Sequence, residues 1–351
     1  MSTLADIPSF NRRVTIVDIA RFADVSTATV DRVLNGRQGV KAATVKRVMK
    51  AAAELGYVDQ SDERIRDVRP LAQISFILPL GTNRYITMLG RMISEMTPQL
   101  ERFSIRPTVE YIDSFNPDLL AKTLNRHAKH TDGIAFMAIE HPVVREAVSR
   151  ITAAGKPVVT LISDVASPTR TAYFGLDNRA AGRMAGYLLA RFIAKRPAKV
   201  AMIAGSLSYR AHGEREMGFL DILQELYPDI EVVGLREGHD DEALNYRQMR
   251  AFLSHHPDLD GIYNIGGGAS GIGRALKDSR REKNVVFVGH GLTSDTREFL
   301  LDGTMDAVIT QSAEDTIAKC AALFRDLREG HKINSPPDPM RVEVVFRENL
   351  P

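Results

Sequence analysis

The 351-residue chain holds a single cysteine, Cys320. An internal disulfide and a thiolate metal cluster are thereby excluded. Its setting, DTIAKCAALF, is the apolar side of a helix and makes it a small core residue. No apolar run approaches the roughly 18 to 20 residues that a membrane helix requires. The N-terminus also lacks the basic, apolar, small-residue order of a signal peptide, so the expected location is the cytoplasm, with no membrane partner. Catalytic patterns are missing too. Gly-x-Ser-x-Gly does not occur, and the nine histidines show no metal-ligand spacing: His255 and His256 end a helix before Pro257, while His127 and His130 fall on a polar helix face. The expectation is a protein that is not an enzyme and uses no metal or cofactor.

What is present is the composition of a folded soluble chain, 44% hydrophobic and 26% charged, long enough for two or three packed units. The net charge of +2 conceals an uneven distribution. Between Asn11 and Val58 nine lysines and arginines face four acids, so the remainder is slightly acidic. A small basic unit joined to a larger acidic one suits attraction to a phosphate backbone at one end, although a solvated helical face gives the same count.

That basic segment reads as three helices. Thr15 caps the first, with Asp18 three residues on, and Ile16, Ile19, Ala20 and Ala23 recur at helical spacing. Ser26 caps the second, which stops at Asn35 and Gly36. Its outward face carries Thr27, Ala28, Asp31 and Arg32, a poor set for packing and a good one for touching something polar. The third runs from about Ala42 to Leu55, with Val45, Val48, Ala52 and Leu55 inward. Only Ala23 to Val25 separate the first two, the short turn of a helix-turn-helix. The expected divisions are a helix-turn-helix domain at 1–58, a charged linker at 59–70 and a two-lobed core at 71–351.

Beyond the linker, apolar runs alternate with amphipathic helices in two series, the first from AQISFILP to KPVVTLI and the second from KVAMIAG to DAVITQ. Strands this uniformly apolar are buried on both faces, so the expected fold is α/β, two doubly wound parallel sheets with a cleft between them at the carboxyl ends of the strands.

The segment TIVDIARFADVSTATVDRVLN resembles the DNA-binding domain of LacI-family transcriptional regulators: a Thr-led first helix, then Val-Ser, Thr-Val, Arg-Val and Asn. The rest resembles the periplasmic-binding-protein-like core of the ribose-binding type that those regulators carry. The resemblance implies a recognition helix, Val25 to Asn35, lying in the major groove, with Thr27, Ala28 and Arg32 toward base edges and Thr29 also at the DNA. Thr15, Ser26, Asn35 and Thr44 match positions that hold phosphates. In the linker the family carries a Pro and an Ala-x-x-Leu hinge whose leucine enters the minor groove. Here Asp59 stands for the Pro, Asp62, Glu63 and Asp67 add charge, and Ile65 is the one large wedge.

In the core, the resemblance implies an effector site at Asn83 and Tyr85 after the first strand, Arg215 in GEREMGF and Gln311 in DAVITQ. Further candidates follow other strands: Glu140 and His141, Ser163 and Asp164, Asn264, and His290. The stretch VGHGL departs from the family, which places an acid about where Gly291 stands. The whole implies a repressor of transcription, a homodimer or larger assembly on a pseudo-palindromic double-stranded operator, controlled by a small polar effector such as a sugar or polyol. Rival readings are a DNA-binding protein without effector, an effector module that has lost operator binding, and a short-chain dehydrogenase. The last rests on GGGASGIGRAL, a glycine-rich turn of the kind that holds pyrophosphate. It lacks a downstream catalytic tyrosine, since none occurs after Tyr263, and the next strand ends at His290 without an acid for a ribose.

Overall fold

A computed structural model describes residues 14–37, 39–58, 70–113, 115–331 and 335–351. The linker residues Asp59, Asp62, Glu63, Ile65 and Asp67 lie outside them. The chain divides into two compact units: Met1–Leu71 with Arg328–His331, and Ala72–Leu327 with Lys332–Pro351.

The first unit holds three short helices, α1 (Ile16–Phe22), α2 (Thr27–Leu34) and α3 (Ala42–Glu54). Thr15 and Asp18 form the expected reciprocal cap, Thr15 N donating to the Asp18 carboxylate at 2.9 Å. Ser26 Oγ accepts from Thr29 N at 3.2 Å and starts α2. The chain leaves α2 through Gly36 at φ +66°, a left-handed position that costs glycine nothing. Ile19, Val30 and Val48 are fully buried at the centre, with Ala20, Ala23, Val33, Met49, Ala51 and Ala52 around them. So few buried side chains make a marginal core, and the caps contribute a correspondingly large share of its stability.

The second unit is built on two sheets. The first has the order β2 (Ile105–Asp113), β1 (Ala72–Leu80), β3 (Gly133–Phe136), β4 (Val158–Leu161) and β5 (Ala172–Phe174), all parallel. Between its strands lie α4 (Arg84–Glu95), α5 (Thr97–Arg102), α6 (Pro117–His127) and α7 (Pro142–Ala153). The sequence pattern suggests one helix from Ile86 to Phe103. It is broken at Met96, and Pro98 sits in the first turn of α5, where its missing N–H is harmless.

The chain then crosses to the second lobe through α8 (Asn178–Phe192). There β6 (Ala198–Ala204), α9 (Arg210–Leu226), β7 (Ile230–Glu237), α10 (Glu242–His255), β8 (Gly261–Asn264), α11 (Ala269–Asp278), β9 (Val286–His290), α12 (Ser294–Asp302) and β10 (Ala307–Thr310) follow in turn. It returns through α13 (Ala313–Arg328), whose Phe324 packs on Gly133 of β3, and closes with β11 (Glu343–Val345), the one antiparallel strand among the described residues, against β10. The second sheet reads β11-β10-β9-β8-β6-β7. β5, α8 and β11 are elements that the hydrophobic pattern does not announce. Cys320 is fully buried on α13, and burial pushes its thiol pKa up.

Candidate functional site

On the first unit, α2 presents Thr27, Ala28 and Arg32 to solvent, while Val30 and Val33 point inward. The Arg32 guanidinium makes no hydrogen bond or ion pair among the described residues. Asp31, by contrast, is engaged on both oxygens, by Asn35 Nδ2 at 2.8 Å and Arg37 Nη1 at 3.4 Å. The second Asn35 amide proton goes to Asp31 O at 3.0 Å, so both its donors are spent inside the protein. Thr15 donates its hydroxyl to Asp18 at 2.6 Å, and the hydroxyls of Ser26 and Thr29 share a bond of 2.9 Å. Thr44 lies in the first turn of α3, a helix whose N-terminus has no side-chain cap.

In the second unit a cavity of about 320 Å³ lies at the carboxyl ends of the strands of both lobes. The first lobe contributes Asn83 and Tyr85, and the second contributes Arg215, His290 and the glycine turn Gly266–Gly268. The crossover after β10 contributes Gln311. Asn83 caps α4 with its side-chain oxygen and reaches across the lobes with Nδ2 to Asp240 Oδ2 at 2.9 Å. Thr82 Oγ1 makes a second crossing to Asp240 O at 2.7 Å. The Tyr85 hydroxyl donates to Gln311 O at 3.2 Å, and burial raises its pKa. Arg215 Nε donates to Asn178 Oδ1 at 2.8 Å and Nη1 to Ile265 O at 2.9 Å. Burial, reinforced by the Arg215 charge, holds His290 well below the usual imidazole range. His212 is lowered to about 4, chiefly by burial, with Arg215 adding to the effect and Asp240 opposing it. Both imidazoles are therefore neutral at pH 7.

Five sequence candidates do not line this cavity. Ile162 takes φ +65°, an outlying conformation for a β-branched residue, and faces the cavity. The same turn sends Ser163 into the interior, where its Oγ accepts from Ala211 N at 3.4 Å. Asp164 is clasped by Arg170 through two bonds of 2.6 and 2.5 Å. Glu140 accepts from Ala166 N at 2.6 Å and pairs with Arg145, while His141 caps α7 and is exposed. Asn264 is fully buried and donates to Gly266 O and Gly267 O, holding the glycine turn. His127, expected on a polar face, is turned inward between Ser75 Oγ and Glu110 Oε2, each at 2.7 Å. Burial works to raise the Glu110 pKa, but the bonds from Arg126 and His127 outweigh it and the carboxyl is lowered. This hydroxyl–imidazole–carboxylate series is no catalytic triad, because Ser75 is 1% exposed within the sheet face.

Residues 15–60 match the bacterial regulatory proteins of the lacI family, and residues 74–332 match the periplasmic binding protein domain. The chain belongs to the lacI family. It is a DNA-binding regulator carrying a periplasmic-binding-protein-like core. Among its relatives, catabolite control protein A of Streptococcus mutans is 25% identical over 248 residues, 71% of this chain and 67% of that protein. The protein of the same name from Priestia megaterium is 32% identical over 150 residues, 43% of this chain and 44% of that one. Solved structures share the core fold. A glucose-galactose binding protein from Geobacillus stearothermophilus superposes with a TM-score of 0.71 at 23% identity, covering 80% of this chain and 99% of that one. A periplasmic solute binding protein from Actinobacillus succinogenes with bound D-allose gives 0.70 at 20% identity, covering 79% and 98%.

In this lacI-family chain the glycine-rich turn does not build a pyrophosphate cradle. It follows β8 of the second lobe, and Gly267 N donates at 2.6 Å to Asp240 Oδ1, which occupies the space over the turn. A side chain on Gly266 would meet that same oxygen at 2.5 Å. Among the residues that sequence reasoning misses are His212, Thr293 and Asp295, which line the cavity, and Asp240, which braces its wall through Asn83 and Gly267. Asp240 stands in a loop with His239, both at positive φ, and nothing in GHDDEA signals a contact across the lobes.

Proposed function

We propose that this regulator binds a small polyhydroxylated ligand, a sugar or a sugar derivative, between its lobes, and that the ligand changes its affinity for a DNA operator. One observation carries the reading: the cavity draws its polar groups from both lobes and from the crossover between them. A ligand touching both lobes binds differently when their setting changes, and that differential affinity is what can shift a conformational equilibrium. The volume, about 320 Å³, stands at the small end of ligand sites. The sugar-binding names of the structural neighbours support the ligand class. In this reading Asn83, Arg215, His290 and Gln311 bond the ligand and the Tyr85 ring packs on it. Glu140, His141, Ser163, Asp164 and Asn264 hold the surrounding loops.

On the DNA side Thr27, Ala28 and Arg32 read base edges, while Ser26, Thr29 and Thr44 approach phosphates with hydroxyls and the uncapped start of α3. Thr15 and Asn35 act by shaping the helix ends. Two copies on a pseudo-palindrome supply the two recognition helices that a specific site needs, and the protein represses transcription in the cytoplasm without catalysis.

The test is thermal unfolding of the full chain with a panel of hexoses, pentoses and polyols, followed by operator binding with each stabilising compound. A ligand at 100 times its Kd adds about 2.7 kcal/mol to the folded state. The expected result is a compound that both raises Tm and alters operator affinity. A compound that raises Tm and leaves operator affinity unchanged contradicts the reading.

A further inference from the structure

Arg215 is buried, and its two protein hydrogen bonds go to neutral oxygens, those of Asn178 and Ile265. No carboxylate lies within ion-pair distance of it among the described residues, and its Nη2 has no partner there. The carboxylates around the cavity are committed elsewhere. Asp295 pairs with Arg84 at 3.6 Å and accepts from the Thr293 hydroxyl. Glu242 pairs with Arg274 at 3.2 Å. Asp240 accepts from Gly267 N and from Asn83 Nδ2, and it reaches the Arg215 charge only through space. His212 and His290 are neutral and add no charge. The cavity wall therefore holds one buried guanidinium without a close counter-charge, an arrangement that is costly unless something supplies one.

A second observation concerns the turn that follows β9. Gly291 lines the cavity at φ +81°, and a side chain added there would meet the Tyr85 ring at 3.3 Å. A larger residue here would be strained at this φ and would press on the Tyr85 ring, and the glycine leaves this part of the wall without a carboxylate. A neutral sugar offers hydroxyl donors and needs acceptors in return, whereas a carboxylate offers acceptors only and matches the planar donor fork of arginine.

We propose that the ligand is a polyhydroxy acid, a sugar with one carboxylate, and that Arg215 is its counter-ion. The proposal rests on the cavity being the ligand site. One cation matches one carboxylate, while a phosphate ester, carrying nearly two charges, would be left half compensated.

The experiment is calorimetric titration of the full chain with matched sets. For glucose, galactose and mannose, the aldose is compared with its alditol, its aldonate, its uronate and its 6-phosphate. The expected outcome is that the tightest binder is a carboxylate, at least tenfold tighter than its neutral counterparts, and that Arg215→Gln removes the preference while Arg215→Lys keeps part of it. If Arg215→Gln does not fold, the comparison on the unaltered protein decides by itself. A neutral sugar or a phosphate binding as tightly as the acid overturns the carboxylate proposal and leaves the cavity as a ligand site. Absence of binding by every member overturns the polyhydroxy-ligand reading beneath it.

Discussion

Arg32 is the residue on which sequence reading by the recognition helix turns. It is exposed on α2 and uncommitted among the described residues, whereas its neighbours Asp31 and Asn35 satisfy each other. A free arginine is positioned to donate two hydrogen bonds to one guanine, a contact worth about 1 to 3 kcal/mol of discrimination. Arg32→Ala is expected to lose that much at the operator and to relax preference at one base position, with a smaller loss on random DNA. Competition binding on both DNAs checks it, and equal losses on the two remove the base-reading role. Residue type and spacing made α2 legible because its caps and apolar face sit within a few positions of each other. The same logic misplaced Asp164, since a polar residue after a strand is equally suited to a loop ion pair, and only Arg170, six residues on in a folded turn, decides between them.

Whole elements were legible where a period repeats. β1, β6 and α10 announce themselves by uniform apolarity or by a cap and an apolar face. α8 does not, and the physical reason lies in its packing. Its sequence, NRAAGRMAGYLLARF, spends glycine and alanine on a close helix crossing and has no large apolar stripe. A side chain on Gly182 would lie 2.0 Å from Arg215 O, and one on Gly218 of α9 would lie 2.0 Å from Arg179 O. The two backbones nearly touch, and α8 is thereby the floor on which Arg215 is set. Gly218→Ala forces them apart, at an expected cost of about 1 to 3 kcal/mol. Gly213→Ala, on the same helix with nothing within 4 Å, is the control and should be neutral or slightly stabilising. Denaturant unfolding separates the two, and equal stability of both variants contradicts the close-crossing account. β5 and β11 escaped for a plainer reason: strands of three residues are too short to display a period.

At the scale of the molecule, a small basic unit and a large core divide two tasks. Charge distribution together with the three-helix pattern points to that division, and two successive βα series point to two lobes. What no pattern in the chain reveals is which loops meet across the cleft, because Asn83 and Asp240 are 157 residues apart and touch only after both lobes are folded. The account's central claim is that occupancy of this cleft changes the affinity of α2 for DNA. Arg215 and Gln311 line the cavity, belong to the core and not to the DNA-binding unit, and so should matter to the response alone. Losing a donor to a bound ligand typically costs about 1 to 3 kcal/mol. The decisive measurement is fluorescence anisotropy of an operator selected from random DNA by the unaltered protein, titrated with wild type, Arg215→Ala and Gln311→Ala, each with and without the ligand that stabilises the wild type. The account predicts that the three bind DNA within about twofold of one another in the absence of ligand, and that only the wild type shows the full response to it. It is contradicted if both variants respond as the wild type does, or if they fold and yet lose DNA binding when no ligand is present.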